Sequence, residues 1–180
     1  MEIIKLDLGC GNNKQKGFIG IDKNKSDQVN IICDLEKKKL PFKDNSVDQI
    51  HTRHFLEHTN NPDKIIDEIY RVLKPKGKVI IIVPHWSWYG SYTFMHKRFF
   101  HSRDFNFYDK KHPAHYYTKS NFRFIDVKFN WGKLQGYKIS TCLNSIINKI
   151  LNINSFLSEE ILVNFFRPKE IIVEMYKDDS

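Results

Sequence analysis

Three acidic residues stand at matching places in the first fifth of the chain. Asp7 lies within Leu6-Asp7-Leu8-Gly9-Cys10-Gly11, Asp22 follows Phe18-Ile19-Gly20-Ile21, and Asp34 follows Val29-Asn30-Ile31-Ile32-Cys33. Each belongs to or closes a short apolar run of strand length. Gly9 and Gly11 make a loop whose backbone N–H groups can approach a ligand closely. A carboxylate such as Asp22 can accept two hydrogen bonds from a ribose diol. Asp34 can accept from an adenine amino group, with Leu35 packing on the ring. Any one of these acids could be a solvated loop carboxylate, but three successive strand ends carrying them in order suit a nucleoside site. Histidine is the natural proton acceptor near neutral pH, and His58, His85, His96 and His101 are the candidates. Of these, His85 follows the fifth strand directly through Pro84.

Positioning such groups requires parallel strands, because open α/β sheets collect ligands at the carboxyl ends of their strands. The first half of the chain alternates strand and helix patterns, as an α/β fold does. Strands are expected over residues 3–8, 18–21, 29–33 and 47–52. A helix is expected over 62–73: Asn61 can cap it, Pro62 suits its first turn, and Asp63 faces the positive end of its dipole. Ile65, Ile66, Ile69, Val72 and Leu73 recur there at helical spacing. Lys74-Pro75-Lys76-Gly77 should stop the helix before a central fifth strand over 78–83. Residues 85–117 are dense in aromatics and histidines and show no period. Beyond them, 122–129 reads as a strand, 139–151 and 155–166 as helices, and 170–176 as a closing antiparallel strand.

Leu6-Asp7-Leu8-Gly9-Cys10-Gly11 resembles the first motif of the class I, Rossmann-like methyltransferases. Asp34 with Leu40-Pro41-Phe42-Lys43-Asp44-Asn45-Ser46-Val47-Asp48 resembles the stretch leading into their fourth strand. Phe55-Leu56-Glu57-His58 resembles the L-x-H segment after it, and Arg71-Val72-Leu73-Lys74-Pro75-Lys76-Gly77 the R-x-L-K-P-G-G turn before the fifth. The resemblance covers residues 3–84 and is nearest to the type 11 methyltransferases. His96-Lys97-Arg98-Phe99-Phe100 resembles a segment of a small prokaryotic subset. The resemblance implies a three-layer α/β fold with a mostly parallel Rossmann-like sheet, an antiparallel last strand, and methyl transfer from S-adenosylmethionine. It implies that Gly9, Cys10 and Gly11 border the methionine part of that cofactor, and that Asp7 orients the loop or meets the methionine amine through water. Asp22 would bind the ribose and Asp34 with Leu35 the adenine, while the backbone around Thr52 and Arg53 would line the sulfonium side. His58, His85 and His96 are the candidate bases, and no metal ligands are expected. Residues 1–180 are expected to form a single domain, with 85–117 as an acceptor-binding lid whose aromatics could stack on the acceptor.

Two departures from the family pattern matter. Asn13 stands where a third glycine is usual, and only residues 12–17 separate the loop from the second strand. Parallel crossovers normally need a dozen residues or more, so the first crossover helix is expected to shrink to about a turn. A dinucleotide site, which needs G-x-G-x-x-G and a helix N-terminus for the pyrophosphate, is disfavoured by the same shortening, and position 14 is Lys14.

The chain has 180 residues, 41% hydrophobic and 28% charged, with a formal charge of +8. No apolar run nears the ~20 residues of a membrane span, and the start lacks a signal-peptide pattern, so the cytoplasm is the expected location. Cys10, Cys33 and Cys142 show no zinc spacing and are expected to be reduced thiols. The scattered lysines leave RNA as an alternative partner. No N-P-P-Y-like run follows the fourth strand, where His51-Thr52-Arg53-His54 stands instead, and there is no Pro-Cys nucleophile. Relative to the resembled family, this disfavours amino-group methylation of adenine or glutamine and cytosine C5 chemistry. A small-molecule or saccharide acceptor leads, with an RNA methyltransferase and a non-catalytic binding module as alternatives.

Overall fold

The structure, a computed structural model, describes residues 3–132 and 140–178. Seven strands form one sheet: β1 (Lys5–Leu8), β2 (Ile19–Asp22), β3 (Ile31–Ile32), β4 (Val47–Arg53), β5 (Leu73–Pro84), β6 (Phe122–Asn130) and β7 (Glu170–Lys177). Their order across the sheet is β3-β2-β1-β4-β5-β7-β6. β1, β2, β3, β4 and β5 pair in parallel, and β7 runs antiparallel to both β5 and β6. The single reversed strand and the central place of β5 agree with the sequence reading. β3 is shorter than expected, two residues rather than five.

Helices are sparse on the β1–β3 half. Residues 9–18, 23–30 and 33–46, which join the first four strands, contain turns and no helix. The shortening expected of the first crossover thus extends to the next two. Side chains supply the missing ties. Arg71 donates to both carboxylate oxygens of Glu68 (2.8 and 2.6 Å) and to the carbonyls of Leu40 and Phe42, pinning the β3–β4 connection to helix α1 (Pro62–Val72).

α1 forms as its pattern requires: Ile65, Ile66, Ile69 and Val72 are buried against the sheet, each stabilising by roughly 1.5–3 kcal/mol. It ends at Val72, but Lys74-Pro75-Lys76-Gly77 does not form a separate turn. Strand β5 begins at Leu73, and its register on β4 jumps from Val47↔Leu73 to Gln49↔Lys78. The bulge needs Gly77, where a Cβ would lie 2.7 Å from the Lys74 carbonyl oxygen.

Residues 85–117 contain three 3-10 segments, Tyr89–Tyr92, Ser102–Tyr108 and His115–Tyr117. Their short, irregular turns explain the lack of any period in the sequence. α2 (Ser140–Leu151) and α3 (Ser155–Glu160) lie between β6 and β7, and a 3-10 turn, Leu162–Asn164, replaces the end of the longer helix expected there. No helix among the described residues is long and apolar enough to cross a membrane.

Candidate active site

The strand order sets Asp34, Asp22, the glycine loop and the end of β4 side by side along one edge of the sheet. Neighbouring strands lie about 4.8 Å apart, so this edge suits an elongated ligand. The loop after β1 is built from its own backbone. Gly9 and Cys10 donate to the Ile21 carbonyl (2.8 and 3.3 Å), and Gly11 donates to Asp22 Oδ2 (3.0 Å). Gly9 and Gly11 have φ of +67° and +49°, conformations that favour glycine. A Cβ on Gly9 would lie 2.3 Å from the Phe55 ring, whereas one on Gly11 would meet open space.

The expected cofactor residues divide into two groups. Asp7 is buried and fully engaged: Oδ2 accepts from the Gln15 N–H (2.6 Å) and Oδ1 pairs with His51 Nδ1 (2.8 Å). It therefore fixes the loop against β4. Cys10 is also buried, and burial, reinforced by Asp7 and Asp22, pushes its thiol pKa up. Asp22 accepts from Gly11 and, through Oδ1, from the Asn24 N–H (2.8 Å), leaving further lone pairs. Asp34 accepts from the Glu36 N–H (3.1 Å), with Lys37 3.5 Å away, and Leu35 packs partly buried against the core. Thr52, opposite Leu8, has a buried hydroxyl with no hydrogen-bond partner among the described residues.

This donor set fits S-adenosylmethionine. Two carboxylates on a half-open edge suit hydroxyls, amines and a positive sulfonium. They would repel a pyrophosphate, and no helix N-terminus follows the glycine loop to receive one.

Sequence reasoning missed the carboxylates that organise the other half of the edge. Glu170, buried at the start of β7, accepts from Arg53 (2.9 Å), His54 Nε2 (2.8 Å) and Asn130 (2.7 Å). Burial works against its charge, but these donors win and hold its pKa down at about 2. The Arg53 side chain is thereby turned toward β7. His54, at a left-handed φ of +52°, also meets Glu57 (3.2 Å), and the Glu170 and Glu57 carboxylates raise its pKa to about 9. The Glu170 partners lie 40 to 117 positions away in the chain, so no local spacing could announce them.

The three expected bases are not equivalent. His85 is completely buried, its Nε2 facing Glu159 (3.0 Å) and its Nδ1 accepting from the Ser87 N–H (3.1 Å). Glu159, on α3, also meets Trp86 Nε1 (3.1 Å), His101 Nε2 (2.9 Å) and the Ser102 N–H (3.2 Å). His85 is thus part of a tie between α3 and the 85–117 segment rather than a group facing an acceptor. His58 and His96 lie together, with ring centroids 4.8 Å apart, and among the described residues each uses only Nδ1, on the Met95 and Ser91 carbonyls. A cavity of about 730 Å³ is lined by Asn60–Asp63, Arg98–Phe100, Tyr108 and Tyr117 among others, and neither histidine lines it.

Residues 14–81 match the family described as a methyltransferase domain. An uncharacterized protein of Methanocaldococcus jannaschii is 37% identical over 93 residues, covering 46% of this chain and 41% of that one. A second protein of the same organism is 29% identical over 156 residues, covering 81% and 69%. The chain spans less than half the length of the first curated relatives that it matches. The solved S-adenosylmethionine-dependent methyltransferase of Archaeoglobus fulgidus superposes with a TM-score of 0.63 at 20% identity, over 97% of this chain and 86% of that one. Sheet order and glycine loop define a class I, Rossmann-like fold. Over residues 14–81 the chain is similar to the methyltransferase domain family, and its fold is that of a solved S-adenosylmethionine-dependent methyltransferase.

Proposed function

We propose that this protein transfers a methyl group from S-adenosylmethionine to a small polar or saccharide acceptor held beneath the 85–117 lid. The observation that carries the reading is the edge formed by Gly9, Gly11, Asp22 and Asp34, with the unpartnered Thr52 hydroxyl beside it. When bound, the cofactor supplies a methyl group already activated by its positive sulfur. Asp22 would hold the ribose, Asp34 and Leu35 the adenine, and the backbone of Gly9–Gly11 the methionine end. Phe55 packs over Gly9 and holds the loop in place.

The chain's largest remaining task is to orient the acceptor, since placement alone can supply much of the rate of an in-line displacement. The cavity lined by Asn60–Asp63 and Arg98–Phe100 combines aromatic walls with Asp63, Asp104, Arg98 and Lys119, which suits a compact polar molecule. An acceptor with a free lone pair needs no base.

Relatives that match part of the chain include a sterol 4-C-methyltransferase, a demethylmenaquinone methyltransferase and a phosphoethanolamine N-methyltransferase, which favour a small acceptor. A tRNA (carboxymethyluridine(34)-5-O)-methyltransferase of Arabidopsis thaliana also matches, at 36% identity over 93 residues. With the charge of +8, it supports RNA as a second reading.

The two readings separate in one assay with methyl-labelled cofactor, offered a small-metabolite extract or total tRNA. Label in the metabolite fraction, insensitive to salt, is the expected result. Label in RNA that falls steeply between about 50 and 200 mM salt would replace the first reading with the second.

A further inference from the structure

We propose that Glu57, His58 and His96 form a binding site for a divalent transition-metal cation of the zinc class. One ring nitrogen of each histidine and one carboxylate oxygen of Glu57 lie within 4.8 Å of one another. The three come from two segments that the backbone clamps together. Glu57 and His58 belong to the 3-10 turn Leu56–His58, and His96 to the lid. Lys97 and Arg98 both donate their N–H groups to the Glu57 carbonyl, at 2.7 and 3.2 Å.

The protonation of each ring follows from its partner. His58 Nδ1 meets the Met95 carbonyl at 3.1 Å, and His96 Nδ1 meets the Ser91 carbonyl at 2.9 Å. A carbonyl only accepts, so Nδ1 carries the proton and Nε2 keeps its lone pair. Metal-binding histidines are held this way, with the second nitrogen bonded to a carbonyl that fixes tautomer and orientation.

Glu57 supplies the independent sign of a missing partner. It is 1% exposed, and His54 holds Oε1, yet Oε2 is buried with no hydrogen-bond partner among the described residues. A buried carboxylate oxygen left bare is costly, and a cation between it and the two rings would satisfy it. The nearby guanidinium of Arg98 is engaged elsewhere, on the Asn60 carbonyl at 2.6 Å.

Zinc bonds of about 2.0–2.2 Å place tetrahedral ligand atoms about 3.3 Å apart. Closing from 4.8 Å asks for shifts on the order of 1 Å, which an exposed His58 and a half-buried His96 can make. Two imidazoles and a carboxylate suit zinc, cobalt or iron. They leave a fourth coordination position for water or another ligand. The bound cation would lock lid residues 91–98 to the end of β4, a consequence that holds whether or not the methyl-transfer reading does.

The test uses full-length, tag-free protein stripped with chelator and titrated with Co²⁺, followed by visible absorption, with Zn²⁺ competition measured by calorimetry. The expected result is one equivalent of Co²⁺, displaced by Zn²⁺, with His58→Ala and His96→Ala each weakening binding by at least about tenfold. Because Glu57 is buried, Glu57→Gln is read only alongside its thermal unfolding without metal, and the exposed His58 carries the decision. No absorbance at millimolar Co²⁺, or affinity in the His58/His96 double variant equal to the parent's, overturns the proposal. S-adenosylhomocysteine affinity measured on the same samples separates failure of this site from failure of the cofactor reading.

Discussion

Replacing Glu159 with glutamine should remove stability that depends on pH in a defined direction. The Glu159 side chain is fully buried, where desolvation opposes its charge. Hydrogen bonds from His85, Ser102 and Trp86 outweigh that cost and hold its pKa at about 2, against an ordinary 4.5. A carboxylate with a depressed folded pKa stabilises at pH values above its unfolded pKa. It loses that contribution as pH falls through the folded value. The gap corresponds to about 3 kcal/mol at pH 7, roughly half of that at pH 3 and little at pH 2. Glutamine keeps the shape but not the charge, so Glu159→Gln should lie up to about 3 kcal/mol below the parent near pH 7. The difference should narrow steadily below about pH 4.5. Urea unfolding of both proteins between pH 2 and 7 measures it, and Trp86 fluorescence reports the tie locally because the indole N–H donates to Glu159. A stability difference equal at pH 7 and pH 3 would refute the reasoning, since the charge would then contribute nothing.

Two further outcomes follow from the glycine loop and its neighbour. Gly9→Ala should destabilise by about 1–3 kcal/mol in chemical denaturation, because alanine would be strained at φ +67° and its Cβ would strike Phe55; a neutral result would mean that the loop is not held as described. Thr52→Val should leave the ligand-free protein as stable or up to about 1 kcal/mol more so, since it removes a buried hydroxyl without a partner. The same variant should weaken S-adenosylhomocysteine binding, and unchanged affinity by calorimetry would remove Thr52 from the site.

The cofactor edge was legible in sequence because its chemistry sits at strand ends, where an aspartate or a glycine interrupts an apolar run. The α1 helix was legible because four isoleucine and valine positions repeat on one face. Much of the rest was not. The missing helices in residues 23–30 and 33–46 leave no positive signal, only short segments, the second of which the arginine of α1 holds down. Lys74-Pro75-Lys76-Gly77 reads as a helix stop and is one, yet the chain continues straight into a bulged strand, a choice made by pairing with β4. His85 looked like a base because it follows β5, whereas its role is set by Glu159, 74 positions later. Glu170 was invisible for the same reason: a buried carboxylate is recognised by its donors, and Arg53, His54 and Asn130 arrive from 40 to 117 positions away.

The central claim is that the edge formed by Gly9, Gly11, Asp22 and Asp34 binds S-adenosylmethionine. Its most direct test is calorimetric titration of the parent and Asp22→Ala proteins with S-adenosylhomocysteine, paired with thermal unfolding. Saturable one-to-one binding to the parent, with stabilisation of about 2.7 kcal/mol at a hundred times the dissociation constant, and its loss in Asp22→Ala, is the predicted result. No binding to the parent at millimolar ligand, or equal binding to both proteins, would contradict the account.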